Sequence, residues 1–156
     1  MTEEKYNGPI IREQEAGDLD TLTKIWLESN LAFRPFIPAD YWKSQLDSVK
    51  AALPGDKVFI FDDHGTIKGF IALKDDAIQG IFIREEFRSQ KIENALLNTC
   101  KTMHLTLTAS VYEEDTETLR LYEESKFERS ETLLNKETGY QEILLKWSLM
   151  KKKSEK

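Results

Sequence analysis

The sequence has little of several residue types on which particular protein classes depend. Cys100 is its only cysteine, which excludes an internal disulfide framework and a cysteine metal cluster. His64 and His104 have no partner motif at ligand spacing, so both are interpreted as structural and no metal site is predicted. No apolar run approaches the roughly 18 residues of a membrane helix. The polar start "MTEEKYNGP" also cannot form a secretory leader, so we expect a cytoplasmic protein without a membrane partner.

Positive charge is also scarce. Lysine and arginine number 22 against 28 aspartate and glutamate residues, giving a net charge of −6. A broad basic surface for nucleic acid is therefore not expected. The 156-residue length fits one domain, which we place at residues 9–149 between an N-terminal tail, 1–8, and a basic tail, 150–156.

What the sequence does contain is an alternation of helix-like and strand-like segments. Two amphipathic segments, with Asp18 as N-cap of the first and Pro54-Gly55 ending the second, predict helices. Short runs rich in β-branched and aromatic residues, separated by turn residues, predict strands. The predicted strands are 9–14, 58–61, 67–73, 78–83, 105–111 and a hairpin within 128–147 around Thr138-Gly139. The predicted helices are 17–33, 38–53, 90–103 and 116–126.

This element order predicts the fold class. The order is β-α-α-β-β-β-α-β-α-β-β, and the strand–helix–strand unit from Ile78 to Val111 predicts a parallel crossover. The remaining neighbours favour antiparallel pairing. We therefore expect a mixed α/β (α+β) fold with a mostly antiparallel seven-stranded sheet and helices on both faces. Cys100 falls inside a helical pattern, where a small buried apolar residue is favoured over a catalytic thiol.

Two short motifs open the last two helices. The first has the form Q/R-x-x-G-x-G/A, with Arg88, Lys91 and Glu93 at its three defined places. The second has the form of an asparagine followed at fixed spacing by alanine, tyrosine and Gly-Phe. Its places hold Asp115, Thr118, Tyr122, Lys126 and Phe127. In this order and spacing, the motifs and the strand pattern resemble the GNAT acyltransferase superfamily over nearly the whole chain.

A third segment supports the resemblance. The stretch "FRPFIPADYW" is similar to the connection between the first two helices of small bacterial members, with Arg34 where those members often carry histidine. The resemblance implies that acetyl-CoA lies between strands four and five, and that an amine attacks its thioester directly. Main-chain groups near Ile81, Phe82 and Ile83 would hold the pantetheine and the acetyl carbonyl. The implied pyrophosphate-binding residues are Arg88, Ser89, Gln90, Lys91, Ile92, Glu93 and Asn94, with Asp115 beside the cofactor's path.

The resemblance also gives roles to side chains at the reacting end. Tyr122 would be the general acid for the leaving thiolate, and the alternative is a core tyrosine on an apolar helix face. Ordered water or one of several strand-end carboxylates would be the base: Asp75, Asp76, Glu113, Glu114 or Asp115. The candidate acceptor-pocket residues are Phe33, Arg34, Phe36, Tyr41 and Trp42, although an aromatic cluster between two helices is also typical of core. Arg34 would favour a carboxylate-bearing acceptor if it faces the pocket.

The motifs depart from the family pattern at glycine positions. Lys91 and Glu93 stand in the phosphate loop, and Lys126 stands where a glycine would end a helix in a left-handed turn. Two hypotheses remain open: an N-acetyltransferase with a looser grip on acetyl-CoA, or a binding or regulatory module that no longer uses it. The acceptor, a small-molecule amine or a protein amine, and the state, monomer or homodimer, also stay open.

Overall fold

The structure, a computed structural model, describes residues 6–150, and describes Ser89 and Gln90 by their main chain alone. Most of the predicted basic tail and most of the N-terminal tail lie outside the described residues. Seven strands form one sheet in the order β1-β2-β3-β4-β5-β7-β6. The strands are β1 (Ile10–Glu13), β2 (Lys57–Asp63), β3 (Thr66–Lys74), β4 (Ala77–Ile83), β5 (Thr106–Tyr112), β6 (Glu128–Leu134) and β7 (Gln141–Ser148). β4 and β5 are parallel, and every other pair is antiparallel, as predicted.

The helices cover both faces of this sheet. They are α1 (Leu19–Phe33), α2 (Ala39–Ser44), α3 (Leu46–Ala52), α4 (Ile92–Lys101) and α5 (Thr116–Glu124). Alternate residues of β3 point to opposite faces, so that Phe70 packs in the cluster under α1 while Ile71 packs in the cluster under α4 and α5. Cys100 is fully buried in the second cluster, and burial raises the pKa of its thiol to about 12. The prediction of a small buried residue there is confirmed. No helix in the described range is long and apolar enough to cross a membrane.

Two local expectations need correction. The single helix predicted for 38–53 is divided at Gln45. The Ser44 hydroxyl donates to the Tyr41 carbonyl at 2.6 Å, and the Gln45 N–H turns to the Trp42 carbonyl at 3.1 Å. A serine hydroxyl that takes a helical carbonyl competes with the backbone in this way. Asp18 precedes α1 but makes no cap bond to it, because its carboxylate binds the Arg12 guanidinium at 2.9 Å.

Lys126 occupies the left-handed turn that the sequence predicted after α5, with φ of 76°. A Cβ is unfavourable in this region, and glycine removes the conflict. We expect Lys126→Gly to raise the free energy of unfolding by roughly 0.5 to 1 kcal/mol, measured by chemical denaturation. Lys136→Gly is the matched control, since Lys136 lies in an exposed turn without positive φ. Equal destabilisation by both changes would show that the turn at Lys126 carries no strain.

Candidate active site

The parallel strands β4 and β5 separate soon after they meet. They pair only at Ala77–Thr108 and Ile78–Ala109, although β4 continues to Ile83 and β5 to Tyr112. The second half of β4 is therefore paired with β3 alone, which leaves its other edge without a strand partner. Three cavities lie along these two strands. The residues of both motifs gather around two of them, which are called the larger and the smaller cavity below.

The larger cavity has a volume of about 420 Å³ and lies at the start of α4. It is lined by Ser29, Phe33, Arg34, Ile81, Ile83, Arg88, Glu93, Glu117, Thr118 and Leu121. Arg88 contacts two carboxylates and an aromatic ring in this cavity. The guanidinium lies 2.9 Å from the Glu117 carboxylate, 3.9 Å from the Glu93 carboxylate and 3.8 Å from the centre of the Phe33 ring. The cation predicted for phosphate is therefore held between two anions of the chain itself.

The two substituted loop positions differ in orientation. Lys91 precedes α4 in a left-handed conformation with φ of 60°, a conformation that glycine adopts without strain, and its side chain is exposed. Glu93 lies in the first turn of α4, and only 16% of its side chain is exposed. Burial raises the pKa of Glu93, against the opposing effect of Arg88. The carboxylate thus lines the cavity and supplies an anion to the helix N-terminus from within the chain.

The smaller cavity has a volume of about 240 Å³ and lies on the other side of the divergence. It is lined by Trp26, Asn30, Arg34, Trp42, Gln79, Gly80, Ile81, Phe82, Ser110, Val111, Tyr112, Thr118, Tyr122 and Glu142. Arg34, Ile81 and Thr118 line both cavities. These three residues mark the point at which a group held in one cavity would face a group held in the other.

Arg34 connects the end of α1 to the start of α5 at this junction. Its guanidinium lies 3.1 Å from the Asp115 carboxylate and donates to the Asn30 side-chain oxygen at 3.0 Å. Asp115 also accepts from the Thr118 N–H at 3.2 Å and thereby caps α5. Burial lowers the pKa of Arg34, and the Asp115 carboxylate opposes this change. Asp115 is therefore a structural partner of Arg34 and does not line either cavity.

Tyr122 has features of both roles that the sequence left open, a core tyrosine and a residue at the reacting end. Its side chain is 2% exposed and packs edge-on against Phe127, with ring centres 5.0 Å apart. It also lines the smaller cavity beside Arg34. Burial raises the pKa of its phenol, and Arg34 acts in the opposite direction. Tyr122 is therefore held neutral, as a proton donor must be.

The carboxylates proposed as bases lie elsewhere. Asp75, Asp76, Glu113 and Glu114 line neither cavity, and Asp76 instead binds His104 and Thr106. Glu142, which sequence reasoning missed, is the one carboxylate among the described residues lining the smaller cavity. It lies on β7 opposite Tyr112 of β5. The Asn135 amide donates to its carboxylate at 2.6 Å and to the Tyr112 hydroxyl at 3.2 Å, which fixes both side chains.

The five predicted acceptor-pocket residues separate into three positions. Arg34 and Trp42 line the smaller cavity, whereas Phe33 lines the larger one beneath Arg88. Phe36 packs against aromatic rings of β5 and the β6–β7 turn. Tyr41 packs edge-on against Trp42 and donates to Glu137 at 3.1 Å. Phe36 and Tyr41 thus support the pocket wall without lining it.

Among the described residues, only part of the predicted cofactor-binding set lines the larger cavity. Ile81 and Ile83 line it, and Phe82, pointing to the opposite face of β4, lines the smaller cavity. Ile92 is buried in the core, so its main chain alone is available to a ligand, and Asn94 is exposed. The side chains of Ser89 and Gln90 lie outside the described atoms.

Comparisons with known proteins give similarities of sequence and of fold. A family model described as "Acetyltransferase (GNAT) domain" matches residues 23–141. The peptidyl-lysine N-acetyltransferase YiaC of Escherichia coli (strain K12) is 23% identical over 143 residues, which are 90% of this chain and 98% of YiaC. The solution structure of apo-form YjaB from Escherichia coli superposes with a TM-score of 0.80 at 21% identity, covering 89% of this chain and 97% of YjaB.

A further similar structure holds a ligand. The yncA protein of Salmonella typhimurium, solved with its cofactor acetyl-CoA, superposes with a TM-score of 0.67 at 14% identity. The match covers 96% of this chain and 99% of yncA. At such identities the structural likenesses show the fold.

Proposed function

This chain belongs to the GNAT acetyltransferase family, and we propose that it transfers the acetyl group of acetyl-CoA to a primary amine that attacks the thioester directly. The observation that carries the proposal is the divergence of β4 from β5, with Arg34 lining both cavities and Tyr122 lining the smaller one. The larger cavity would hold acetyl-CoA, and the smaller one would hold the acceptor.

The larger cavity has groups suited to acetyl-CoA. Main-chain groups of Ile81 and Ile83 lie on the strand edge that β5 leaves, where a pantetheine amide can pair as a further strand would. The start of α4 and the Arg88 guanidinium would bind the pyrophosphate. Glu93 and Glu117 oppose this binding, because each competes with phosphate for Arg88.

The reaction needs two proton transfers, and the smaller cavity has a residue for each. Acetyl-CoA supplies the acetyl group as a thioester, so that a bond from the amine nitrogen to the acetyl carbon forms and the carbon–sulfur bond breaks. Glu142, as general base, would take the proton that the amine loses. Tyr122 would give its phenolic proton to the departing thiolate. Glu142 replaces the strand-end carboxylates in this role, because those carboxylates do not line the cavity.

The competition at Arg88 leads to a prediction about affinity. Glu93→Gln removes a partly buried carboxylate from the larger cavity, and a charge about 5 Å from a phosphate costs roughly 3 kcal/mol at an effective dielectric of 20. With screening, we expect the acetyl-CoA Kd to fall about tenfold, measured by isothermal titration calorimetry. Glu124→Gln, which removes the same charge from the exposed end of α5, should leave the Kd unchanged. Weaker binding by Glu93→Gln would instead show that the carboxylate stabilises the loop that holds the cofactor.

The proposed reaction is tested by product analysis. Purified protein would be incubated with acetyl-CoA and primary amines, including lysine-containing peptides because YiaC is a peptidyl-lysine N-acetyltransferase. We expect an N-acetyl product by mass spectrometry and one free thiol for each product formed. Hydrolysis of acetyl-CoA at the same rate with and without every amine would contradict the proposal.

A further inference from the structure

The smaller cavity contains two buried hydrogen-bond donors without a protein partner. The Asn30 side-chain nitrogen and the Trp42 indole nitrogen are both unpaired, and their residues are 2% and 6% exposed. Both residues line this cavity. Buried polar groups are almost always hydrogen-bonded in native proteins, so two unpaired donors in one cavity indicate a ligand that accepts from them.

The orientation of both donors is fixed by their neighbours. Arg34 donates to the Asn30 side-chain oxygen at 3.0 Å, which leaves the amide nitrogen as the free end. The Trp42 ring is held edge-on against Trp26 and Tyr41, at 5.7 Å and 5.2 Å between ring centres. These neighbours therefore fix the directions of both donors before a ligand is present.

Two charged side chains of opposite sign line the smaller cavity. Arg34 is the cation and Glu142 is the carboxylate among the described lining residues. The charge of Arg34 is shared with Asp115, at 3.1 Å, so Arg34 alone does not make the cavity cationic. Asn30 and Trp42 add hydrogen-bond donors beside Arg34 without adding charge.

We propose that Asn30, Trp42 and Arg34 bind the carboxylate of the acceptor, and that the acceptor is therefore a small amino acid or a similar amine bearing a carboxylate. This inference rests on the proposed function, since it places the acceptor in the smaller cavity. A carboxylate offers about four lone-pair sites to three donors, whereas an amide carbonyl offers two. A volume of about 240 Å³ suits a small molecule, and Glu142 faces the same space for the amine.

The test compares each L-amino acid of a panel with its C-terminal amide and its decarboxylated amine. Binding is followed by the thermal unfolding midpoint in the presence of CoA, and transfer by kcat/KM with acetyl-CoA. We expect the acids to raise the midpoint and the amides not to, and kcat/KM to favour acids by about 100-fold or more, because a site built for an oxygen rejects analogues that lack it.

Two variants test whether the preference for acids arises at Trp42 and Asn30. Trp42→Phe removes the indole donor and keeps an aromatic ring, and Asn30→Asp replaces the free donor with an oxygen while the other oxygen still accepts from Arg34. Each should lower kcat/KM for the acids at least about tenfold more than kcat/KM for the amides and amines. The matched controls are Trp147→Phe and Asn98→Asp, which make the same atomic changes outside the cavity and should keep the preference.

The outcomes separate this inference from the proposed function. If acids bind selectively but no amine is acetylated, the carboxylate site stands and the proposed reaction fails. If acids, amides and amines are acetylated equally well, or lysine-containing peptides are preferred to free acids, the reaction stands and the carboxylate site is overturned. The comparison of acid with amide uses the unchanged protein, so it decides the question even if a variant does not fold.

Discussion

Replacing Tyr122 with phenylalanine is expected to lower kcat by about 100-fold or more, with little change in the Kd for acetyl-CoA. Proton transfer by a positioned side chain typically contributes about 10²- to 10⁴-fold, and Tyr122 lines the smaller cavity beside Arg34 and Thr118, which line both cavities. Phenylalanine keeps the packing on Phe127, so the core should be preserved. The measurement is steady-state kinetics together with calorimetric titration of acetyl-CoA.

The control for this change is Tyr140→Phe, which removes a hydroxyl from a tyrosine that lines neither cavity. Because burial raises the pKa of Tyr122, its phenol should stay protonated beyond the ordinary value of about 10. No decline of kcat due to this residue is therefore expected up to pH 10. An unchanged kcat in Tyr122→Phe would leave the tyrosine as a core residue and remove it from the mechanism.

The second large effect is expected at Glu142. Glu142→Gln keeps the shape of the side chain and an oxygen to accept from the Asn135 amide, but it removes the carboxylate that would take the amine's proton. We expect kcat/KM to fall about 100-fold, with the Kd for acetyl-CoA unchanged, because the residue does not line the larger cavity.

Glu131→Gln is the matched control, since it removes the same charge from the exposed strand β6. It should not affect the kinetics. If Glu142→Gln retained full kcat/KM across the pH range, deprotonation would not depend on this carboxylate, and a relay through ordered water would take its place.

The order of strands and helices along the chain could be predicted because it depends on local patterns. The change from helical to alternating periodicity, and the turn residues between runs, specify the elements without reference to the rest of the chain. The left-handed turn at Lys126 was instead expected from the family resemblance, which places a glycine at the end of this helix. The break at Gln45 was missed because it depends on one hydroxyl bond, which a helical pattern does not specify.

The sequence did not indicate Glu142 and Asn30, because their place in the site depends on how distant segments of the chain pair and pack. Glu142 reaches the cavity because β7 pairs with β5 in a register that places it opposite Tyr112, and an alternating strand pattern does not contain that information. Asn30 was missed for a similar reason. It lies on the buried side of α1, where a polar residue has meaning only once the opposing strand and Arg34 are in place. Family motifs, in contrast, led to Tyr122 and Arg88 directly.

The most direct test of the central claim, that the altered cleft still binds acetyl-CoA, is thermal unfolding of the purified protein with acetyl-CoA, with CoA and without ligand. At 100 times its Kd, a ligand should stabilise the fold by about 2.7 kcal/mol, which shifts the midpoint by several degrees. We predict such a shift with both ligands. The absence of any shift at millimolar acetyl-CoA would contradict the account, because Glu93 and Glu117 would then keep Arg88 from the phosphates.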